Sequence, residues 1–280
     1  MAYKTIIAVL DSPKTALQVT RFASALARQY DAHVIGLHAE RLATVPIVAP
    51  MEIPDPVSVQ ALQDMAREET KETEAAFRSH AQSEGISHEW RSFVTGAGFN
   101  SQAIIDSARS VDLVIAVQTN PDDRSEHRAD LETFLFESGR PVIMIPYVQK
   151  EPQPIKRVLI AWNGSREAAR ATFDALPLLK SADQVEIFSV DPVDMGSQSA
   201  ELAGAEIAAT LARHGVKATL ATDITNGVPA SSVIENRLSD SSIDLLVMGA
   251  YSHSRLWELL FGGVTRAVME SMTAPTLLSR

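Results

Sequence analysis

The sequence predicts an α/β protein made of two tandem open parallel-sheet domains with five strands each. Three observations predict it: the chain repeats itself, its apolar runs are continuous, and helical patterns separate those runs. Continuous Val, Ile and Leu runs are typical of strands that are buried on both faces of a parallel sheet. Strands that alternate with helices of this length favour right-handed crossovers and an open sheet.

The repeat is clearest in the strand segments. KTIIAVLDS at 4–12 returns as KRVLIAWNGS at 156–165, which aligns Asp11 with Asn163. SVDLVIAVQ at 110–118 matches SIDLLVMGA at 242–250. Two copies of this size indicate tandem domains. We therefore expect domains at 1–148 and 156–280, joined by a proline-rich polar linker at 149–155.

Glycine and proline place several element boundaries. Two helices are expected to end at Gly85 and Gly215, each at a C′ position. Residues 41–59 contain four prolines and are expected to form an extended loop, either a lid or an interface segment. TGAGFNS at 95–101 lacks the third glycine of a dinucleotide fingerprint, so we interpret it as a loop before a helix.

Composition excludes several functions. The net charge of −10 argues against a nucleic-acid binder, which needs a basic face. The absence of cysteine excludes disulfides, thiolate catalysis and zinc–thiolate sites. No apolar run approaches the length of a membrane span or a signal-peptide core, so we expect a cytoplasmic protein without membrane contact. The histidines are scattered, and neither a metal site nor a catalytic triad is recognisable.

The strand ends of the second half carry the candidate site. Ligands of open α/β sheets bind beyond the carboxyl ends of the strands, where the strand order reverses. Gly262 and Gly263 precede Val264, Thr265 and a helical pattern, TRAVMESM. Amide groups at such a helix N-terminus favour phosphate. A tight turn before the last helix is the alternative interpretation of the same glycines.

The closing segment resembles the signature of the universal stress protein family. Its nucleotide-binding members carry Gly, two residues, Gly, nine residues, Gly, then Ser or Thr. Gly249 fits the first position and Gly262 the third, whereas Ser252 replaces the second glycine and Gly263 replaces the Ser or Thr. The resemblance covers nearly the whole chain and looks like the tandem, UspA-like form. It implies an adenine nucleotide α-hydrolase-like, Rossmann-like fold in each half.

The resemblance also implies a ligand, ATP or a related adenine nucleotide with or without Mg²⁺, in the C-terminal half. It places Val190 and Met248 beside the base, Gly249 at the ribose and residues 262–265 at the phosphates. Asn163 stands where the family commonly has an Asp that points at the adenosine, and an amide still accepts and donates a hydrogen bond. The predicted binding residues are Asn163, Val190, Met248, Gly249, Ser252, Gly262, Gly263, Val264 and Thr265.

The first half keeps Asp11 but lacks the glycine pair. Gln118 stands near the first-glycine position, and five acidic residues lie between 122 and 132. Their negative charge disfavours a polyphosphate. We therefore expect the first half to bind no ATP and to act as a structural or regulatory partner.

The expected function is that of a non-enzymatic stress-response protein that couples an adenine nucleotide to an unidentified protein partner. A slow ATPase belongs to the same hypothesis, although no general base is recognisable. By family analogy VIMIP (142–146) and TLLS (276–279) would pair as an intramolecular pseudo-dimer, with a homodimer as a further option. The rival hypothesis is a nucleotide-independent interaction or small-ligand protein, which the three departures from the family pattern favour.

Overall fold

The computed structural model describes residues 2–42, 55–96, 101–118, 120, 131–191, 200–250 and 263–280. The chain divides into two compact units. The first unit comprises residues 3–117 and 121–138. The second unit comprises residues 139–280, together with residues 118–120 and the first two residues.

The first unit is an open parallel sheet in the strand order β3-β2-β1-β4. Its strands are β1 (Thr5–Val9), β2 (His33–Arg41), β3 (His88–Thr95) and β4 (Leu113–Val117). Its helices are α1 (Pro13–Tyr30), α2 (Pro56–Ser83), α3 (Gln102–Arg109) and α4 (Leu131–Glu137).

The second unit has the strand order β5-β10-β9-β6-β7-β8. Its strands are β5 (Val142–Ile145), β6 (Arg157–Ala161), β7 (Gln184–Val190), β8 (Ala218–Asp223), β9 (Leu245–Gly249) and β10 (Thr276–Ser279). Its helices are α5 (Arg166–Asp174), α6 (Leu176–Ser181), α7 (Ala200–Arg213), α8 (Ala230–Asp240) and α9 (Gly263–Ser271).

The predicted fold class is confirmed. Within the described ranges, each half of the sequence contributes five strands separated by helices. The central strands are buried along almost their whole length, and β4, β5 and β10 are buried at every position. That burial explains the continuous apolar runs, because successive residues of a strand point to opposite faces and both faces of these strands are covered. The outer strands β3 and β8 are more exposed.

Strand β5 forms the one departure from parallel pairing among the described strands. It pairs antiparallel with β10, with Ile143 opposite Leu277, while β10 pairs parallel with β9. The expected pairing of VIMIP with TLLS is therefore observed. Because of this pairing β5 belongs to the second unit, although it precedes residues 149–155.

The helix ends predicted at Gly85 and Gly215 are observed, whereas the start of α2 differs from the prediction. Gly85 and Gly215 have φ of 64° and 85°, as C′ glycines require. The predicted loop at 41–59 is wrong at its end, because α2 begins at Pro56. The Asp55 carboxylate accepts hydrogen bonds from the amides of Val57 and Ser58, and proline is well suited to the first helical position. Residues 43–54 lie outside the described ranges.

Candidate functional site

The strand order of the second unit reverses at β6. Strand β6 pairs with β7 on one side and with β9 on the other, and all three run parallel. The chain leaves β6 into α5 and returns in β7, whereas β9 lies on the opposite side. The carboxyl ends of β6 and β9 therefore lie at a topological switch point, where ligands of open α/β sheets bind. We call this place the β6–β9 switch point.

The turn after β6 is built by Asn163, Gly164 and Ser165. The Asn163 side-chain oxygen Oδ1 accepts a hydrogen bond from the Ser165 amide at 3.1 Å. Gly164 has a φ of 72°, a conformation that favours glycine. The Ser165 hydroxyl caps α5 by accepting from the Ala168 amide at 3.1 Å. This turn leaves the Asn163 side chain exposed and fixed in orientation.

Gly249, at the end of β9, lies directly against the first turn of α5. A Cβ at this position would approach the Ala168 nitrogen and the Glu167 carbonyl carbon to 2.5 Å, and the Glu167 Cβ to 2.8 Å. The packing of β9 against α5 therefore requires glycine here. The predicted ribose contact of Gly249 remains a prediction, because this helix contact by itself accounts for the glycine.

Val190 and Met248 stand on the two sides of β6. Met248 pairs with Ala161 across β6 and β9 and is 5 % exposed. Val190 lies two residues beyond Phe188, which pairs with the same alanine across β6 and β7, and is half-buried. Both residues lie at the carboxyl end of the sheet, and their contact with a base, which the family resemblance implies, remains a prediction.

The predicted phosphate cradle is only partly within the described ranges. Gly263 is the first residue of α9, followed by a half-buried Val264 and by Thr265, which is 7 % exposed. Ser252 and Gly262 lie outside the described residues. The helical pattern TRAVMESM is confirmed as α9.

Three further residues at the switch point are not among the predicted binding residues. Glu167 is a carboxylate that is only 2 % exposed, in the first turn of α5. Its Oε1 accepts a hydrogen bond from Arg166 Nε at 2.5 Å, and this bond raises the pKa of Arg166. The Trp162 Nε1 atom is buried and has no hydrogen-bond partner within the described part of the chain. The sequence signal for Arg166 and Glu167 is an Arg-Glu dipeptide after a helix-capping serine. By itself this dipeptide predicts two exposed side chains.

The segments that directly follow β7 and β8 are joined by hydrogen bonds and add one ordered carboxylate to this edge of the sheet. Asp191 has a φ of 45° and accepts hydrogen bonds from the Thr225 hydroxyl at 2.6 Å and the Thr225 amide at 3.0 Å. The hydroxyl contact, more than the amide contact, lowers the pKa of Asp191. The left-handed backbone of Asp191 is typical of a turn residue.

Two kinds of feature are not found in the described ranges. No group of three or more His, Asp or Glu side chains there is placed to hold a metal ion. No helix in these ranges has the length and apolar character needed to cross a membrane.

The second half is similar to a known protein family. Residues 154–280 match the model of the universal stress protein family. By this match the second half resembles members of the universal stress protein family. A curated member, universal stress protein Slr1230 of Synechocystis, is 29 % identical over 154 residues. This match covers 54 % of the chain, and the chain spans about half the length of that relative.

Solved structures of universal stress proteins share the fold over the whole chain. A universal stress protein from Archaeoglobus fulgidus matches with a TM-score of 0.70 at 14 % identity, covering 100 % of this chain and 97 % of the other. A protein from Pseudomonas aeruginosa matches with a TM-score of 0.62 at 18 % identity, covering 99 % and 93 %. At these identities the likeness establishes the fold.

The two halves of the chain differ at the position of Gly249. The Gln118 amide donates to the Ile145 carbonyl at 2.7 Å, and the Ala250 amide donates to the Ser279 carbonyl at 2.9 Å. These equivalent bonds align Gln118 with Ala250 and therefore Val117 with Gly249. The first half thus has a buried valine where the second half has a glycine.

Proposed function

We propose that the second half binds ATP or another adenine nucleotide, with or without Mg²⁺, at the β6–β9 switch point. In this proposal the chain is a cytoplasmic, tandem universal stress protein without enzymatic activity. It acts by presenting its nucleotide-bound state to a protein partner.

The observation that carries the proposal is the turn after β6 at the switch point. Asn163 is exposed there, its Oδ1 is held by the Ser165 amide, and Gly249 and Met248 end the neighbouring strand. The amide NH₂ of Asn163 is a donor. Ribose hydroxyls and the ring nitrogens of adenine are acceptors, so an adenosine suits this group.

Trp162 supplies a second argument. A buried N–H without an acceptor costs about 1–3 kcal/mol, and Trp162 Nε1 is such a group within the described ranges. The residue directly follows β6 and precedes Asn163. A ligand with an acceptor at this position would satisfy the indole, and the indole would provide an apolar face for a base.

The test is a titration of the full chain with ATP, ADP, AMP and cyclic AMP by calorimetry, together with thermal unfolding. A ligand that binds only the folded state stabilises it by about 2.7 kcal/mol at a concentration of 100 times Kd. Gly262→Asp should abolish binding, because it places a negative charge in the predicted cradle. Gly96→Asp is the matched control, since a Cβ at Gly96 meets nothing within 4 Å.

If millimolar nucleotide leaves the midpoint temperature of thermal unfolding unchanged, the proposal is refuted. The chain would then be better explained as a nucleotide-independent interaction or small-ligand protein. The packing of Gly249 against α5 favours that alternative, because it explains this glycine without a ligand.

We infer further that the first half binds no nucleotide. Val117 stands at the position of Gly249 and is 7 % exposed, so its side chain occupies buried space at the end of β4. The expected stoichiometry is one nucleotide per chain. Two equivalent sites in the calorimetric titration would contradict this inference.

A further inference from the structure

Arg166 and Glu167 form a charge pair in the first turn of α5. The Glu167 side chain is 2 % exposed, whereas the Arg166 side chain is 84 % exposed. Arg166 Nε donates to Glu167 Oε1 at 2.5 Å. Within the described ranges this carboxylate is the only hydrogen-bond partner of Arg166, so both terminal amino groups of the guanidinium remain available.

Neither Arg166 nor Glu167 is the residue type that would stabilise α5 best at its position. A buried carboxylate is costly unless it is paired and hydrogen-bonded. A cation in the first turn of a helix lies at the positive end of the helix dipole. The Ser165 hydroxyl already caps the helix. An apolar residue at 167 and a neutral residue at 166 would serve the helix better, so the pair calls for another explanation.

The pair lies at the β6–β9 switch point. Glu167 packs on Gly249, whose added Cβ would lie 2.8 Å from the Glu167 Cβ. Arg166 follows the turn that holds Asn163 and Ser165. The Arg166–Glu167 pair therefore lies beside the carboxyl end of β9.

We propose that Arg166 binds the phosphate of the nucleotide and that Glu167 orients its guanidinium through the Nε hydrogen bond. This inference rests on the proposed function. With Nε committed to Glu167, the two terminal amino groups form a fork that matches two phosphate oxygens. Arg166 is thus a binding residue and Glu167 a positioning residue.

The first half provides a matched control. The alignment of Lys4 with Lys156 places Lys14 opposite Arg166 and Thr15 opposite Glu167. Lys14 is an exposed cation in the first turn of α1. It has no buried carboxylate at the next position, so Lys14→Met removes the same kind of charge without touching the proposed phosphate site.

The experiment is calorimetric titration of the full chain with adenosine, AMP, ATP and inorganic tripolyphosphate. Arg166→Met should weaken AMP and ATP binding 10- to 100-fold and abolish tripolyphosphate binding, while adenosine affinity stays within twofold. Glu167→Gln should weaken phosphate-bearing ligands several-fold, and this effect should vanish in the Arg166→Met background. Lys14→Met should leave every affinity unchanged. Circular dichroism confirms that each variant is folded.

The outcomes separate the two proposals. If wild-type protein binds tripolyphosphate through Arg166 but no adenosine or nucleotide, the proposed function fails and the phosphate site stands. If nucleotides bind but Arg166→Met changes none of the affinities, or weakens adenosine as much as ATP, the inference is wrong and the proposed function stands. If wild-type protein binds none of the four ligands, both are overturned.

Discussion

His38 in the first half and Ser189 in the second half make equivalent hydrogen bonds. His38 Nδ1 lies 2.6 Å from the Leu10 carbonyl oxygen, and the Ser189 hydroxyl donates to the Trp162 carbonyl at 2.8 Å. Each bond joins the second strand of its half to the residue that follows the first strand. The histidine is 3 % exposed and stacks on Trp90 at a centroid distance of 5.8 Å. A titratable ring thus replaces a neutral hydroxyl at one of two corresponding positions.

His38 should make stability depend on pH. Burial lowers its pKa below the ordinary 6.5, while the Leu10 carbonyl, Glu69 and Glu40 oppose that shift. Because the unfolded chain then binds the proton more tightly, stability is fully present above pH 6.5 and is lost as pH falls below it. The loss amounts to at most about 1.4 kcal/mol per pH unit for one proton.

The measurement is urea unfolding between pH 7.5 and 5 for wild type, His38→Ser and His38→Asn. Both variants lack the titrating ring and should show the same flatter profile, and His38→Ser should lose about 1–3 kcal/mol at pH 7.5 from lost packing. A wild-type profile parallel to that of both variants would show that His38 does not titrate differently on folding.

Much of the fold was readable from the sequence, because the signals were local. The strand runs, the repeat and the C′ glycines depend on burial and on backbone conformation at single residues such as Gly85. The start of α2 was missed although Asp55-Pro56 is itself a helix-start signal. The four prolines of residues 41–59 led instead to the prediction of an extended loop over the whole segment.

The burial of two polar side chains, Glu167 and His38, depends on tertiary contacts. Glu167 is buried because the Cα of Gly249 allows α5 to approach β9 closely. His38 is buried because Trp90 covers it from the neighbouring strand. Neither partner is near in sequence, so no local pattern predicts that these polar side chains lose contact with water.

Gln118→Glu should destabilise the second unit. Gln118 is 4 % exposed, and its Nε2 donates to the carbonyls of Met269 and Glu270 at 2.8 and 3.0 Å. Its Oε1 accepts from the Tyr147 amide at 3.2 Å. A carboxylate has the same shape but no donor, and it faces carbonyls at the negative end of α9. We expect a loss of about 2–3 kcal/mol in unfolding free energy at pH 7.

Lowering the pH should restore part of that loss, because a protonated carboxyl can again donate a hydrogen bond. The deficit of Gln118→Glu relative to wild type should therefore shrink between pH 7 and 4.5. Gln118→Leu, which cannot titrate, is the control and should keep a constant deficit. An equal pH profile for Glu and Leu at this position would contradict the donor role.

Gly36→Ala should cost about 1–3 kcal/mol, because a Cβ there would lie 2.8 Å from Phe77 Cε1. Phe77 is fully buried, and His88 and Trp90 contact its ring at centroid distances of 5.7 and 5.9 Å. The ring therefore has little room to move. A double-mutant cycle with Phe77→Leu measures the contact: the cost of Gly36→Ala should fall in that background. Strict additivity of the two substitutions would mean that the alanine clashes elsewhere.

Alanine at two glycines of the second unit should have opposite effects on stability. Gly249→Ala brings a methyl group within 2.5 Å of the Ala168 nitrogen and the Glu167 carbonyl carbon, which are main-chain atoms and can yield only if α5 moves. We expect a loss of about 1–3 kcal/mol.

Gly204→Ala places its Cβ 3.5 Å from Leu220 Cδ2, an ordinary contact, inside α7. Removing a glycine from a helix interior should raise stability by up to about 1 kcal/mol. Thermal unfolding of the two variants beside wild type measures both signs. If Gly249→Ala unfolds at the same midpoint temperature as wild type, α5 does not pack on this glycine. The explanation given above for the burial of Glu167 would then be wrong.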